Sequence, residues 1–179
     1  TPLYSSAASD VYKRQPEQWF EEDPALDKTI ASRFSELRLA ATRGELWPWR
    51  ATATGRLAEI ILLDQFSRNI FRNHADAFSA DSMALVLAQE AVSVEADKVL
   101  TPQQRAFMYM PFMQSESLAI HDVAMELFSQ EGLEREFSFE KRHQKVIETF
   151  GRYPHRNHLL GRESTAQEIA FLKSNPQGF

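Results

Sequence analysis

The chain has 179 residues, of which 43% are hydrophobic and 25% charged, with a formal net charge of −5 and no cysteine. This length suffices for one domain with a core or for a short helical array. The composition excludes disulfides and thiolate metal sites, and the acidic balance argues against general nucleic-acid binding, which needs a basic surface.

The first fifteen residues, "TPLYSSAASDVYKRQ", lack the apolar core of a secretory signal. They are similar to translated adapter sequence. Thr1–Gln15 is therefore expected to be non-native or a disordered arm, and residues 16–179 a single helical domain. Asp23-Pro24 then opens a helix as N-cap and first helical residue. Leu26, Ile30, Phe34 and Leu37 share its apolar face, and Gly44 ends it. "ELWPWR" is a connection, because Pro48 breaks helical continuation, with Trp47 and Trp49 expected to pack beneath it.

Thr54-Gly55 opens a second helix, apolar nearly all round from Leu57 to Phe71 and so expected to be buried. Its "IILL", Ile60–Leu63, is the longest aliphatic run, far short of the roughly 20 apolar residues of a membrane span. A third helix runs from Ser79 or Asp81 to about Ala96. Thr101-Pro102 caps a fourth that extends toward Phe128, with Pro111 expected to kink or split it. A fifth covers about Glu136 to Phe150 and closes at Gly151. "STAQE" is a capping box, Ser164 with Gln167 or Thr165 with Glu168, opening a last helix to about Lys173. The expectation is an all-α protein of about six helices in antiparallel pairs, either a tetratricopeptide-like array or a compact irregular bundle.

Three segments carry the polar chemistry. In "DQFSRNIFR", Asp64, Arg68 and Arg72 fall at i, i+4 and i+8 on one helical face, with Gln65 and Asn69 beside them. Glu116 follows the very apolar "YMPFM" and needs a cationic partner, for which an arginine of the other segments is the candidate. His121 lies about 140° round the helix from Glu116 and is set apart from it. "FGRYPHRNHLLGR", Phe150–Arg162, concentrates Arg152, His155, Arg156, His158 and Arg162 without one acid. Arg156 and Arg162 suit bidentate contact with carboxylate or phosphate, Asn157 offers donors and an acceptor, and His155 and His158 suit acid–base work. The competing expectation is that Arg152, Arg156 and Arg162 lock the last helix onto Asp64, Glu116 or Glu163. No metal-ligand spacing, glycine-rich phosphate loop or nucleophile signature occurs, so neither metal nor cofactor is expected and no catalytic residue is assigned.

Taken in order, "WFEEDPALD", "LLDQFSRNIFR", "ADSMALVLA", "YMPFMQSES" and "FGRYPHRNHLLGRESTAQEIAFL" resemble a widespread bacterial family of unknown function with a tetratricopeptide-like all-helical fold. The resemblance spans about Gln18 to Phe179 and implies a right-handed stack of helix pairs, without an established activity. The residues repeating the family pattern are Asp64, Gln65, Arg68, Asn69, Arg72, Glu116, His155, Arg156, Asn157 and Arg162. Two features depart from it. Gln114 stands where a histidine is expected, and Thr1–Gln15 replaces an aromatic opening segment.

The leading functional expectation is a cytoplasmic binding module that holds an acidic peptide or anionic metabolite in one polar cleft built from those ten residues. An enzyme would instead pair His155 or His158 with Glu116 and use the arginines against developing negative charge. A purely structural salt-bridge network is the third alternative. The sequence leaves the oligomeric state open.

Overall fold

The Asp23 carboxylate accepts the amides of Ala25 and Leu26 at 3.0 and 3.1 Å and starts α1 (Pro24–Thr42). Two backbone bonds, Gly44 N to Ala41 O and Glu45 N to Ala40 O, close it with Gly44 at φ +71°. The computed structural model describes residues 22–176 and 178, so Thr1–Gln15 lies outside the described residues. The other α-helices are α2 (Ala53–Leu63), α3 (Gln65–Ile70), α4 (Asp81–Ser93), α5 (Pro102–Met113), α6 (Leu118–Phe128), α7 (Glu134–Phe150) and α8 (Ala166–Ser174). Short 3-10 turns complete the described residues, which contain no strand. The protein is all-α. No helix among the described residues is long and apolar enough to cross a membrane.

Helices outnumber the six expected because two of the expected ones are each divided. The second divides at Asp64, whose ψ of −73° departs from the ideal helical value and whose carbonyl is taken by Arg68 Nη1 at 3.1 Å. The fourth runs through Pro111 and stops at Met113, and a new helix starts after Ser117 in extended backbone. Thr101 does cap α5, in a reciprocal exchange with Gln104.

Two compact units divide the chain between Met108 and Tyr109. In the first, the core gathers Ile30 and Phe34 of α1 with Leu57, Ile60–Leu63 and Phe66 of α2 and α3, all nearly inaccessible. The Phe34 and Phe66 rings lie 4.8 Å apart. In the second unit, α6 packs on α7, and Phe128, Val146, Ile147 and Tyr153 are buried. Of the two tryptophans expected beneath the 47–51 connection, Trp49 is buried, but Trp47 is 66% exposed. The 3-10 turn Trp47–Ala51 separates their environments.

Gly55 stands at the first turn of α2 because a side chain has no room there. A Cβ would lie 1.9 Å from the Trp49 carbonyl oxygen and 2.9 Å from Thr52 Oγ1, the atom that caps this helix through the Gly55 amide at 3.0 Å. Backbone on one side and the cap on the other leave little capacity to yield. Gly55→Ala is therefore expected to cost about 1–3 kcal/mol, as for an overpacked core site. Urea denaturation against wild type measures it, and an unchanged midpoint would contradict the close approach.

Candidate functional site

In the first unit the charged face of α3 is tied to two neighbouring helices. Arg68 grips Asp81 of α4 with both terminal nitrogens, at 2.9 and 3.0 Å, and reaches Asp64 Oδ1 at 3.3 Å. Gln65 Nε2 donates to the other oxygen of the buried Asp64 at 2.6 Å. One helical turn on, Arg72 holds Asp27 of α1 through Nε and Nη2, and Asn69 Nδ2 donates to the same carboxylate at 2.9 Å. Burial alone would raise the Asp27 carboxyl. The Arg72 guanidinium and the Asn69 amide outweigh burial and hold it below the ordinary value. Arg72 thus pairs with α1, while the Asp64–Arg68 rung of the expected ladder forms and extends to Asp81.

The second unit builds its polar site around the end of α5. A helix leaves its last four carbonyls without intrahelical donors, and these carry the negative end of the helix dipole. Here the carbonyl of Met113, the last residue of α5, and those of Gln114 and Ser115 just past its end receive side-chain donors from elsewhere in the unit: Tyr153 Oη at 2.5 Å, Arg156 Nη2 at 3.0 Å and His121 Nε2 at 2.7 Å, respectively. Arg156 also reaches Gln114 Oε1 at 3.3 Å and lies over the Tyr153 ring, 4.7 Å from its centroid. Gln114, at the position where the family pattern leads one to expect histidine, therefore accepts from Arg156 through both backbone and side chain.

Two carboxylates take the remaining arginines of the basic turn. Glu116 meets Arg162 in a two-bond fork at 2.8 and 2.9 Å and accepts the Tyr153 amide at 2.7 Å. Arg162 also donates to Asn157 Oδ1 at 2.9 Å and to the Tyr153 carbonyl at 3.1 Å. Glu168 of α8 meets Arg152 at 2.8 and 2.9 Å, and Asn157 Nδ2 at 3.2 Å. Its own helix start is the Thr165/Glu168 capping box, one of the two alternatives expected. Burial would raise Glu116, but Arg162 and the Tyr153 amide bring it below the ordinary carboxyl value. The Arg152 guanidinium, aided by Thr165, holds Glu168 down at about 2 against the opposing effect of burial.

The unit also contains a pair that sequence reasoning missed. His121 and Glu140 are both fully buried, with His121 Nδ1 2.5 Å from Glu140 Oε1. His121 Nε2 also lies 3.1 Å from Tyr153 Oη. A carbonyl only accepts, so Nε2 is the donor to Ser115 and Nδ1 faces the carboxylate. Burial raises the Glu140 carboxyl, with His121 pulling the other way. Glu140 sits on the highly polar α7, nineteen residues from its partner, so only its place on the inward face could have singled it out. His155 and His158 are exposed on the turn, and Glu116 takes its hydrogen bonds from Arg162 and the Tyr153 amide rather than from either histidine. No cluster of three metal-ligating side chains occurs among the described residues.

Residues 6–176 match the family described as "Bacterial protein of unknown function (DUF924)", a span that begins inside Thr1–Gln15. Among solved structures, the chain is similar to a protein of unknown function, ATU0120, from Agrobacterium tumefaciens. The two share 35% sequence identity and a TM-score of 0.93 over 97% of this chain and 99% of that one. No curated protein matches the sequence.

Acid should destabilise the second unit in two windows. Burial pushes the His143 imidazole from 6.5 down to about 4, so the unfolded chain takes up this proton first and stability falls between those values. Glu168 is depressed from 4.5 to about 2, so its stabilisation is complete above 4.5 and is lost as pH falls toward 2. Urea titrations from pH 7 to pH 2 should show His143→Phe flattening the upper window and Glu168→Gln the lower. An upper slope unchanged in His143→Phe would refute the first assignment.

Proposed function

We propose, for a chain that belongs to the bacterial DUF924 family, that the protein is a helical binding scaffold whose motif residues are internal clamps. It takes its ligand, an anionic metabolite or acidic peptide end, on cationic side chains outside those clamps. The observation that carries this reading is the capping of the broken α5 end. The basic turn supplies Tyr153 and Arg156 to carbonyls and Arg162 to Glu116, so its positive charge already has acceptors within the unit. A ligand anion arriving at Arg162 would have to displace a forked carboxylate, and Glu116 would then lose its guanidinium partner.

The same contacts count against an acid–base enzyme built on Glu116, since both of its oxygens accept hydrogen bonds from Arg162 and Tyr153. A catalytic base needs a lone pair facing substrate. A tetratricopeptide-like use of the fold, in which paired helices present a ligand surface, is compatible with the clamp reading because the clamps hold the helices and leave their outer faces to vary.

Thermal shift measured with wild type, Arg156→Ala and Arg162→Ala tests the reading. Each variant should lose about 1–3 kcal/mol, because a buried or half-buried acceptor is left without its donor. A screen of carboxylated and phosphorylated metabolites and acidic peptides accompanies it. A ligand at about a hundred times its dissociation constant adds about 2.7 kcal/mol, and the variants should keep that response while they stay folded. A variant that melts like wild type but no longer responds would place the ligand at the turn and overturn the clamp reading.

A further inference from the structure

The cationic side chains outside the clamps include one group set beside an apolar cavity. Arg142, Lys145, Val146, Thr149 and Phe150 recur at i, i+3, i+4, i+7 and i+8, so they form one stripe along α7. Phe171 and Asn175 face them across a groove with a cavity of about 260 Å³. Its floor is aromatic: the Phe150 and Phe171 rings lie 5.1 Å apart, inclined at 59°. The neutral polar groups of the wall turn back on the main chain. Thr149 Oγ1 donates to the Lys145 carbonyl at 2.8 Å, and Asn175 Nδ2 to the Phe171 carbonyl at 2.9 Å. What faces an occupant is therefore hydrocarbon edged by two cations.

Those cations are available on exchange terms that favour a ligand. Arg142 lies over the Phe139 ring, 4.6 Å from its centroid, and none of the described carboxylates forms a salt bridge with it. Lys145 pairs with Glu148 at 3.2 Å, but both side chains are well exposed, at 76% and 43%. Such a surface pair is weak, screened by water and salt, and readily exchanged.

We propose that the groove between α7 and α8 binds a small aromatic carboxylate, its ring against Phe150 and Phe171 and its carboxylate on Arg142 and Lys145. Charge complementarity at the rim requires an anion, and the planar guanidinium matches a carboxylate fork. The aromatic floor suits a flat apolar body. A volume just under the usual range of about 300–1,000 Å³ limits that body to one ring with a short acidic arm. This proposal rests on the binding-scaffold reading and gives it a place and a ligand class.

The test is an amide NMR titration of the full chain with 3-phenylpropionate, beside its neutral analogue 3-phenylpropanamide. Saturable shifts are expected in residues 142–150 and 171–175. The amide should bind at least about tenfold more weakly, and Arg142→Gln should show the same loss for the acid. Thr149 is exposed, so Thr149→Trp fills the groove from its open side and should abolish binding with the melting temperature unchanged. Equal affinity for acid and amide, or no effect of either variant, overturns the proposal. If anions from the metabolite screen bind but their shifts map elsewhere, the groove assignment falls and the scaffold reading stands. If no anion binds anywhere, both fall.

Discussion

A helix that ends inside a domain must find donors for its last carbonyls, and in the second unit this requirement organises everything polar around it. Pro111 has no amide hydrogen and belongs to the last turn of α5, which stops at Met113. The Met110 and Phe112 carbonyls take the amides of Gln114 and Ser115, while the carbonyls of Met113, the last residue of α5, and of Gln114 and Ser115 just beyond it take side chains from distant parts of the sequence. A tyrosine hydroxyl, a guanidinium and an imidazole supply them. Each donor is buried and needs support of its own, and each has it: Tyr153 through its amide to Glu116, Arg156 by stacking on Tyr153, and His121 through Glu140. The acid-free character of the basic turn follows, because the carboxylates that pair with its arginines, Glu116 and Glu168, lie just past the end of α5 and on α8 rather than within the turn.

The first unit solves a related problem differently. Its α3 and the turn after it, which carries Arg72, continue the most apolar stretch of the chain, so their charged residues must be matched at the helix faces they meet. Asp81 and Asp27 do this from two different helices, each forked by one arginine. Arg68 and Arg72 thereby fix how α1, α3 and α4 assemble within that unit, in addition to neutralising charge.

How much of this could be read in advance depended on how local the signal was. Most helix starts were legible because caps act over three residues: Asp23, Thr101 and Thr165 each cap the helix they were expected to open, whereas α2, expected to open at Thr54-Gly55, is capped two residues earlier by Thr52. The need of Glu116 for an arginine was legible from its apolar surroundings, and Arg162 meets it. The other half of the network was not. Carbonyl acceptors have no side-chain identity, so nothing in "MQS" announces that Met113, Gln114 and Ser115 will draw Tyr153, Arg156 and His121. Trp47 misled for a similar reason. Its neighbour Trp49 is buried, and composition alone cannot tell two tryptophans apart when a 3-10 turn sends them in different directions. The groove on α7 was hidden because Arg142 and Lys145 look like any solvated face until Phe171 arrives from α8.

The clamps also span long stretches of chain, and that has a kinetic side. Glu116 and Arg162 are 46 residues apart, and Asp27 and Arg72 are 45. Individual helices form within about a microsecond, whereas a contact closing so long a loop must first overcome the entropy of bringing its ends together. To the extent that such a contact is absent from the transition state for folding, losing it speeds unfolding and leaves folding nearly untouched. An arginine–carboxylate fork of that kind is a latch, which bears on the native lifetime of its unit more than on its rate of formation.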